Sequence, residues 1–264
     1  MPFTPSHAVI ALPFIRTPLV PAAIAIGAMT PDLPLFLRGV GLAYSFTHTV
    51  GNIVWTTLVA FMLFLLWRVV LRPAVPELMP AALARRLPRD WSDARTTALR
   101  RAVGVGERRW FLVLLLVSLM LGVLSHIAWD MFTHEGRGGV QLIPALDAMW
   151  GPLPGYKWLQ HGSSLMGLAI IALWAWMWSR QRAAGELPPR MLPSWARIAW
   201  WASLPVVLVG ALALGLVLYG PLDAEFTVQH LAYRVLPPAC AIWGALTLLL
   251  AAALPLVRGT HHRG

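Results

Sequence analysis

The sequence predicts an all-α, polytopic transmembrane helical bundle, with about five long spans and an N-terminal broken helix pair. Three observations carry that prediction. The 264 residues are 58% hydrophobic and only 12% charged, with a mean hydropathy of +0.66, whereas soluble domains are near half apolar and a quarter charged. The apolar residues gather into runs that reach the roughly 20 residues a bilayer requires. The 14 Trp suit a chain with many helix ends at the lipid interface. The single Cys240 excludes an internal disulfide and a Cys-based zinc cluster; in its apolar run it reads as packing or lipid-facing.

Taken in order, residues 3–31 are apolar but interrupted by Pro13, Arg16, Pro18 and Pro21. Proline removes a donor and disfavours helix just before it, so two short helices are expected, about 5–15 and 19–30. With Arg16 and Thr17 at the tip of a re-entrant hairpin, His7 and Asp32 return to one membrane face. Broken helices at membrane depth need burial in protein or a cavity to line. There is no basic leader and no cleavable signal pattern, so the chain reads as mature from Met1. After Tyr44-Ser-Phe-Thr-His48-Thr comes an apolar run over 50–71, then a polar stretch over 72–109. The middle of that stretch, Asp90 to Val103, could form a basic amphipathic helix; a solvated loop that fixes topology is the simpler reading. Further runs cover 110–133, 163–179, 198–219 and 235–257. The whole chain, 1–264, reads as one membrane domain.

Charge orients the spans. Ten arginines fall between Arg68 and Arg109, which marks 72–109 as a basic cytoplasmic loop under the positive-inside rule. That assignment absorbs the net charge of +10, so no nucleic-acid partner is expected. Residues 135–161, rich in Gly and Pro and poor in Arg and Lys, fit an outer-face loop. Arg180, Arg182, Arg190 and Arg197 mark a second inner loop. The 220–233 loop carries Asp223 and Glu225, and the tail with Arg258 and Arg263 is again basic. The expectation is an integral protein of the bacterial cytoplasmic membrane with its C-terminus in the cytosol. His261 and His262 would then lie on the inner side.

The chemistry is concentrated near one stretch, Leu124-Ser-His126-Ile-Ala-Trp-Asp130-Met-Phe-Thr-His134-Glu135. His126, Asp130 and His134 recur at four-residue spacing, which stacks them on one helix face. Ionisable groups at membrane depth are functional candidates, and a buried Asp must be paired or bound. Topology places His48 and His134 on the same outer side, Asp32 follows His48, and His7 joins them through the hairpin. Imidazole and carboxylate donors without thiolate suit zinc, manganese or iron. An unbroken helix separates the His126 and His134 backbones by about 12 Å, too far for one ion with bonds of about 2.0–2.2 Å. Asp130 bridging two metals about 3.5–4 Å apart fits that spacing better; alternatively the helix unwinds at Thr133 and His134 folds back. Glu135 is a candidate general base beside Asp130. Read singly, Asp32 after Pro31 could cap a turn, and His48 between two threonines could cap its helix. Lys157 and His161, with Trp150, Tyr156 and Trp158, read better as an interfacial anchor than as an anion site.

The segments Met1-Pro-Phe-Thr-Pro-Ser-His7, Gly27-Ala-Met-Thr-Pro-Asp32, Thr47-His48-Thr, Ser125-His126-Ile-Ala-Trp-Asp130-Met-Phe-Thr-His134 and Tyr156-Lys-Trp-Leu-Gln-His-Gly-Ser-Ser164 resemble a bacterial membrane family, domain-of-unknown-function family 4184. That family is similar to membrane-bound metal-dependent hydrolases and, more distantly, to the zinc-dependent phospholipase C and nuclease superfamily. The resemblance implies His7, Asp32, His48, His126, Asp130 and His134 as metal ligands. The soluble superfamily adds a His-x3-Glu helix and an N-terminal amine; here His161 is followed by Gly-Ser-Ser-Leu165, without the carboxylate.

The expected function is metal-dependent hydrolysis of a phosphoester in a lipid or lipid-linked substrate, with one or two divalent ions, zinc foremost, and membrane lipids as partners. The alternative is a transporter or partner-binding scaffold whose polar cluster serves as a proton or metal-ion path. Function lives in the site rather than the fold, so the geometry must decide. Oligomeric state is not legible.

Overall fold

The computed structural model describes residues 3–38 and 40–261, with side chains through Pro255. Met1, His262 and Arg263 lie outside the described residues, as do the side chains of Arg258 and His261. Among the described residues the regular structure is helical apart from a two-residue antiparallel pair, Met149–Trp150 with Leu153–Pro154. Five helices are long and apolar enough to cross a membrane: Val50–Leu78, Phe111–Thr133, Gly155–Gln181, Ser194–Tyr219 and Val228–Pro255. The protein is an all-α integral membrane protein. The expected N-terminal pair is present as a 3₁₀ helix over Thr4–Phe14 and α1 over Pro21–Met29.

The chain divides into two compact units. The first comprises Met1–Pro34, Ala43–Leu66 and Arg100–Arg182. It contains α1, α2 (Ile53–Leu66), α3 (Phe111–Thr133) and α4 (Gly155–Gln181). Its core is Ala23, Ala60, Phe64, Ala102, Leu115, Leu119, Val123 and Ile127. Between helices in lipid the driving force is close packing rather than escape from water, so small residues gather at contacts. The pair Gly27 and Gly122 shows this directly. A Cβ on Gly27 would stand 2.2 Å from the Leu119 carbonyl oxygen, and one on Gly122 would stand 2.2 Å from that of Ile24. α1 and α3 therefore touch backbone to backbone. The start of α1 is completed from α3: Val20 N–H donates to Ser118 Oγ at 2.9 Å, supplying the cap that Val20 itself lacks. The 3₁₀ segment is held against α4, where Phe3 N–H donates to Ser164 Oγ at 2.9 Å. A Cβ on Gly167 would stand 3.0 Å from the Ser6 carbonyl.

The second unit comprises Leu35–Leu42, Trp67–Leu99 and Ala183–Gly264. It holds α5 (Ser194–Tyr219) and α6 (Val228–His261). The basic stretch is more structured here than a solvated loop. Arg72 and Glu77 are buried, and Glu77 accepts the N–H groups of Met191 and Leu192 at 3.0 and 2.8 Å. Arg95 donates to the carbonyls of Ala251 and Ala252. Ala251 O is the acceptor that Pro255, lacking an N–H, leaves without a helical donor. The alternative to a loop, a helix over 90–103, is present in part, as Arg95–Ala102.

Two boundaries move. α4 begins at Gly155, eight residues before the expected span, because Gly155-Tyr-Lys-Trp-Leu-Gln-His-Gly reads as polar loop although its backbone is helical. Lys157 and His161 thus ride on a helix, and the connection after α3 ends at Pro154. α6 begins at Val228 and carries Pro237 and Pro238 in its interior; neighbouring groups make such prolines tolerable in membrane helices.

Candidate metal centre

Each donor is brought in by a local feature of the first unit. Asp32 ends a 3₁₀ turn, Thr30–Asp32, that follows α1. Thr4 Oγ1 donates to Asp32 Oδ2 at 2.7 Å, so the N-terminal segment fixes one carboxylate oxygen. His48 follows the short helix Tyr44–Thr47, and its Nδ1 lies 2.9 Å from the Tyr44 carbonyl. His126 occupies the buried face of α3 with Nδ1 2.7 Å from the Ala28 carbonyl. That last contact exists because Gly27 and Gly122 let the backbones meet. Asp130 lies one turn further along α3 and is buried.

A carbonyl can only accept, so both Nδ1 atoms carry hydrogen, and in the neutral rings both Nε2 atoms carry lone pairs. These Nε2 atoms face each other at 3.2 Å. Asp32 Oδ1 lies 3.8 Å from His48 Nε2 and 3.6 Å from His126 Nε2. Asp130 Oδ2 lies 3.4 Å from each. His48, His126 and Asp130 thus form one triad of acceptors within 4.8 Å of one another. A tetrahedral ion with bonds of about 2.0–2.1 Å has donor–donor edges of about 3.3–3.4 Å, which the 3.2–3.4 Å edges of that triad match. Asp32 Oδ1 and Asp130 Oδ1 are buried without a hydrogen-bond partner, which is costly unless something else binds them.

His7 and His134 stand around this set. The His7 ring stacks on His126 with centroids 4.1 Å apart, and its buried Nε2 has no hydrogen-bond partner. One donor atom each from His7, Asp32 and His126 lie within 4.8 Å of one another. Burial first, then the neighbouring His126, holds the His7 imidazole down at about 3. Burial likewise holds His134 at about 4 against the opposing pull of Asp130. Both rings are therefore neutral at physiological pH, the form that donates to a metal. Burial raises Asp32, with His126 and the Thr4 hydroxyl countering it.

A straight ladder is not what forms. α3 stops at Thr133, and His134 is extended, φ −131° and ψ 138°. The ring folds back, with Nδ1 3.3 Å from the Asp130 carbonyl and 3.5 Å from Asp130 Oδ1. The helix thus ends just before His134, whose ring turns back toward Asp130 rather than standing one turn beyond it. Gln160 donates from Nε2 to His134 Nε2 at 3.3 Å, so both His134 nitrogens are engaged.

The family description for domain of unknown function DUF4184 matches residues 1–254. The chain belongs to the DUF4184 family. Beyond that match, this DUF4184 protein is similar to the vitamin B12 import system permease proteins of Shigella flexneri and of Escherichia coli K12. Each is 32% identical over 155 residues, covering 52% of this chain and 45% of the permease. The chain thus spans just under half the length of the curated relatives it matches. No solved structure matches.

Glu135 is not among the DUF4184 protein's clustered donors. Its exposed carboxylate accepts a bond from Tyr156 Oη at 3.4 Å. His161 is exposed; its neighbour Gln160 is the residue of that motif that reaches the centre. Three residues escape sequence reasoning as site members: Thr4, Tyr44 and Gln160. Tyr44 stacks on His48 with ring centroids 3.6 Å apart and donates to Asp130 Oδ2 at 3.3 Å. Its i,i+4 spacing to His48 was the available signal.

Proposed function

We propose that the first unit holds a divalent ion, zinc foremost, on Asp32, His48, His126 and Asp130, and hydrolyses a phosphoester of a lipid or lipid-linked substrate. One observation carries the reading. Two histidine rings, each with Nδ1 on a backbone carbonyl, bring their Nε2 atoms to 3.2 Å beside Asp130 Oδ2. With both rings neutral, a cation there would turn mutually repelling acceptors into a coordination shell. His7, Asp32 and His126 form the neighbouring triad that would take a second ion.

Bound there, a divalent ion supplies Lewis acidity and a bound water that ionises near neutral pH. The chain's own residues position the set. Ala28 and Tyr44 carbonyls fix the tautomers, the arrangement typical behind metal-ligating histidines. Thr4 orients Asp32, and His134, itself held by Gln160, turns its Nδ1 toward Asp130. Tyr44 Oη donates to Asp130 Oδ2 and so would help to orient that carboxylate toward an ion.

A second reading, transport, is favoured by the similarity to permeases. Against it, the donors form one knot, whereas a conducting route needs polar groups at successive depths. A proton shared between His48 and His126 is the remaining non-metal account. Metal analysis of the purified protein, with His126→Ala and Asp130→Ala beside the native chain, separates these. Stoichiometric metal lost in both variants supports the ligand set; no metal in the native protein defeats both the set and the hydrolase. Metal bound without turnover of phospholipid or phosphodiester substrates moves the balance to transport. We place the centre on the outer side of the bacterial cytoplasmic membrane, with 72–109 and the C-terminus in the cytosol; reporter fusions in 72–109 and 135–154 test that.

A further inference from the structure

A cavity of about 320 Å³ opens beside the donor cluster, bounded by the 3₁₀ segment Thr4–Phe14, α3 and α4. Its walls are Val9 and Ile10, Trp129, and Met166 and Ile170, with His7 among the lining residues. His7 is also the ring stacked on His126, so the cavity and the proposed metal centre share a wall. Trp129 and Ser163 are tied across it, Nε1 to Oγ at 3.2 Å.

Its level along the helices decides what can fill it. The lining residues of α3, Ser125 and Trp129, precede the helix end at Thr133, and those of α4 lie 8–15 positions inside its start at Gly155. At about 1.5 Å per residue that is about one to two helical turns inside α3 and about two to four inside α4. Met166 and Ile170 are 63% and 42% exposed on a helix that crosses the bilayer, so the opening meets hydrocarbon rather than water. A carbon-lined void there loses packing contacts unless a chain enters. The volume is at the low end of ligand clefts: room for part of one chain, not a whole lipid.

We infer that this cleft takes one hydrocarbon chain of a membrane phospholipid, with the phosphoester of that lipid directed past His7 to the donor cluster. The inference deepens the hydrolase reading and rests on it for the headgroup's destination; occupancy of the cleft by the chain can be tested apart from it. The native protein and Ile170→Trp, which fills the cleft from an exposed position, go into nanodiscs of phosphatidylethanolamine and phosphatidylglycerol. These are doped with a phospholipid carrying a diazirine in mid-chain. After irradiation, labelled positions are mapped by mass spectrometry, and metal content is measured on the same samples.

Labelling of residues 6–10, 125–129 and 163–170 should exceed several-fold that of the exposed α5 positions Val206, Val209 and Val217. It should fall to that background in Ile170→Trp while metal content is unchanged. Equal labelling of cleft and α5 in the native protein would show ordinary boundary lipid only and overturn the inference. So would labelling of the cleft that survives Ile170→Trp. If the cleft labels but no metal is found, the hydrolase reading fails and the chain site stands; if metal is found and the cleft does not label, the reverse holds.

Discussion

α3 and α5 are nearly indistinguishable as sequence, with mean hydropathies of 2.5 and 2.3 over their most apolar windows, yet 39% of the α3 window is buried in the protein against 6% for α5. α3 contributes Leu115, Ser118, Leu119, Gly122, Val123, His126, Ile127, Asp130 and Thr133 to the interior. α5 contributes Gly215. The ionisable residues lie on the helix that protein surrounds, and the helix left to lipid carries none in its apolar middle. In hydrocarbon, buried charge survives only where partners are already supplied. Apolarity specifies that a helix can cross; the polar interruptions specify which crossing is interior.

The contrast can be broken most severely at the cluster. His126→Ala or Asp130→Ala should abolish bound metal and, by stranding the other buried group, cost about 3–5 kcal/mol in unfolding from mixed micelles. Val209→Ala on the exposed side of α5 should stay within about 0.5 kcal/mol. Equal losses would mean that α3 is not specially interior. Next comes the backbone contact. Gly122→Val should cost about 1–3 kcal/mol or more from overpacking and weaken metal binding, by pushing Ala28 away from His126. Gly210→Val, where nothing lies within 4 Å of an added Cβ, should be close to neutral by the same unfolding measurement.

A milder test leaves the packing intact. Thr4→Val removes the hydroxyl on Asp32 and should weaken metal affinity about 10–100-fold in titration with a chelator, with no change in helical content. Unchanged affinity would show that Asp32 is not a ligand. Smallest of all, Trp200→Phe in the second unit removes an Nε1 bond to Thr247 Oγ1 of 3.1 Å and should cost about 0.6 kcal/mol. Metal content should not move.

The long helices and the set His7, Asp32, His48, His126 and Asp130 were legible because both depend on exceptions: long apolar runs, and ionisable residues within or beside them. What escaped depends on local backbone. Nothing in Asp130-Met-Phe-Thr-His134 decides between a helix that continues and one that ends at Thr133, so the sequence left both positions of His134 open. The start of α4 was hidden because Gly155, Lys157 and Gln160 look like loop residues, and that concealed Gln160 behind its neighbour His161. Thr4 could not be read as the partner of Asp32, since the 28-residue separation is bridged only by the folded hairpin. Tyr44 accepts from His48 Nδ1 through its carbonyl and donates to Asp130 Oδ2 through its hydroxyl, and composition carries no trace of either.

The order of the donors along the chain bears on how the protein is made. Thr4, His7, Ala28, Asp32, Tyr44 and His48 all precede α3, so of the groups that face His126 and Asp130 from outside that helix, all but His134 are synthesised before them. An aspartate entering a bilayer alone costs about 2.5–3.5 kcal/mol at the centre of a helix. Here the segment carrying it emerges last, into a receptacle already synthesised. Moving residues 1–48 to the far end of the gene would leave the folded contacts possible and the insertion of α3 unassisted.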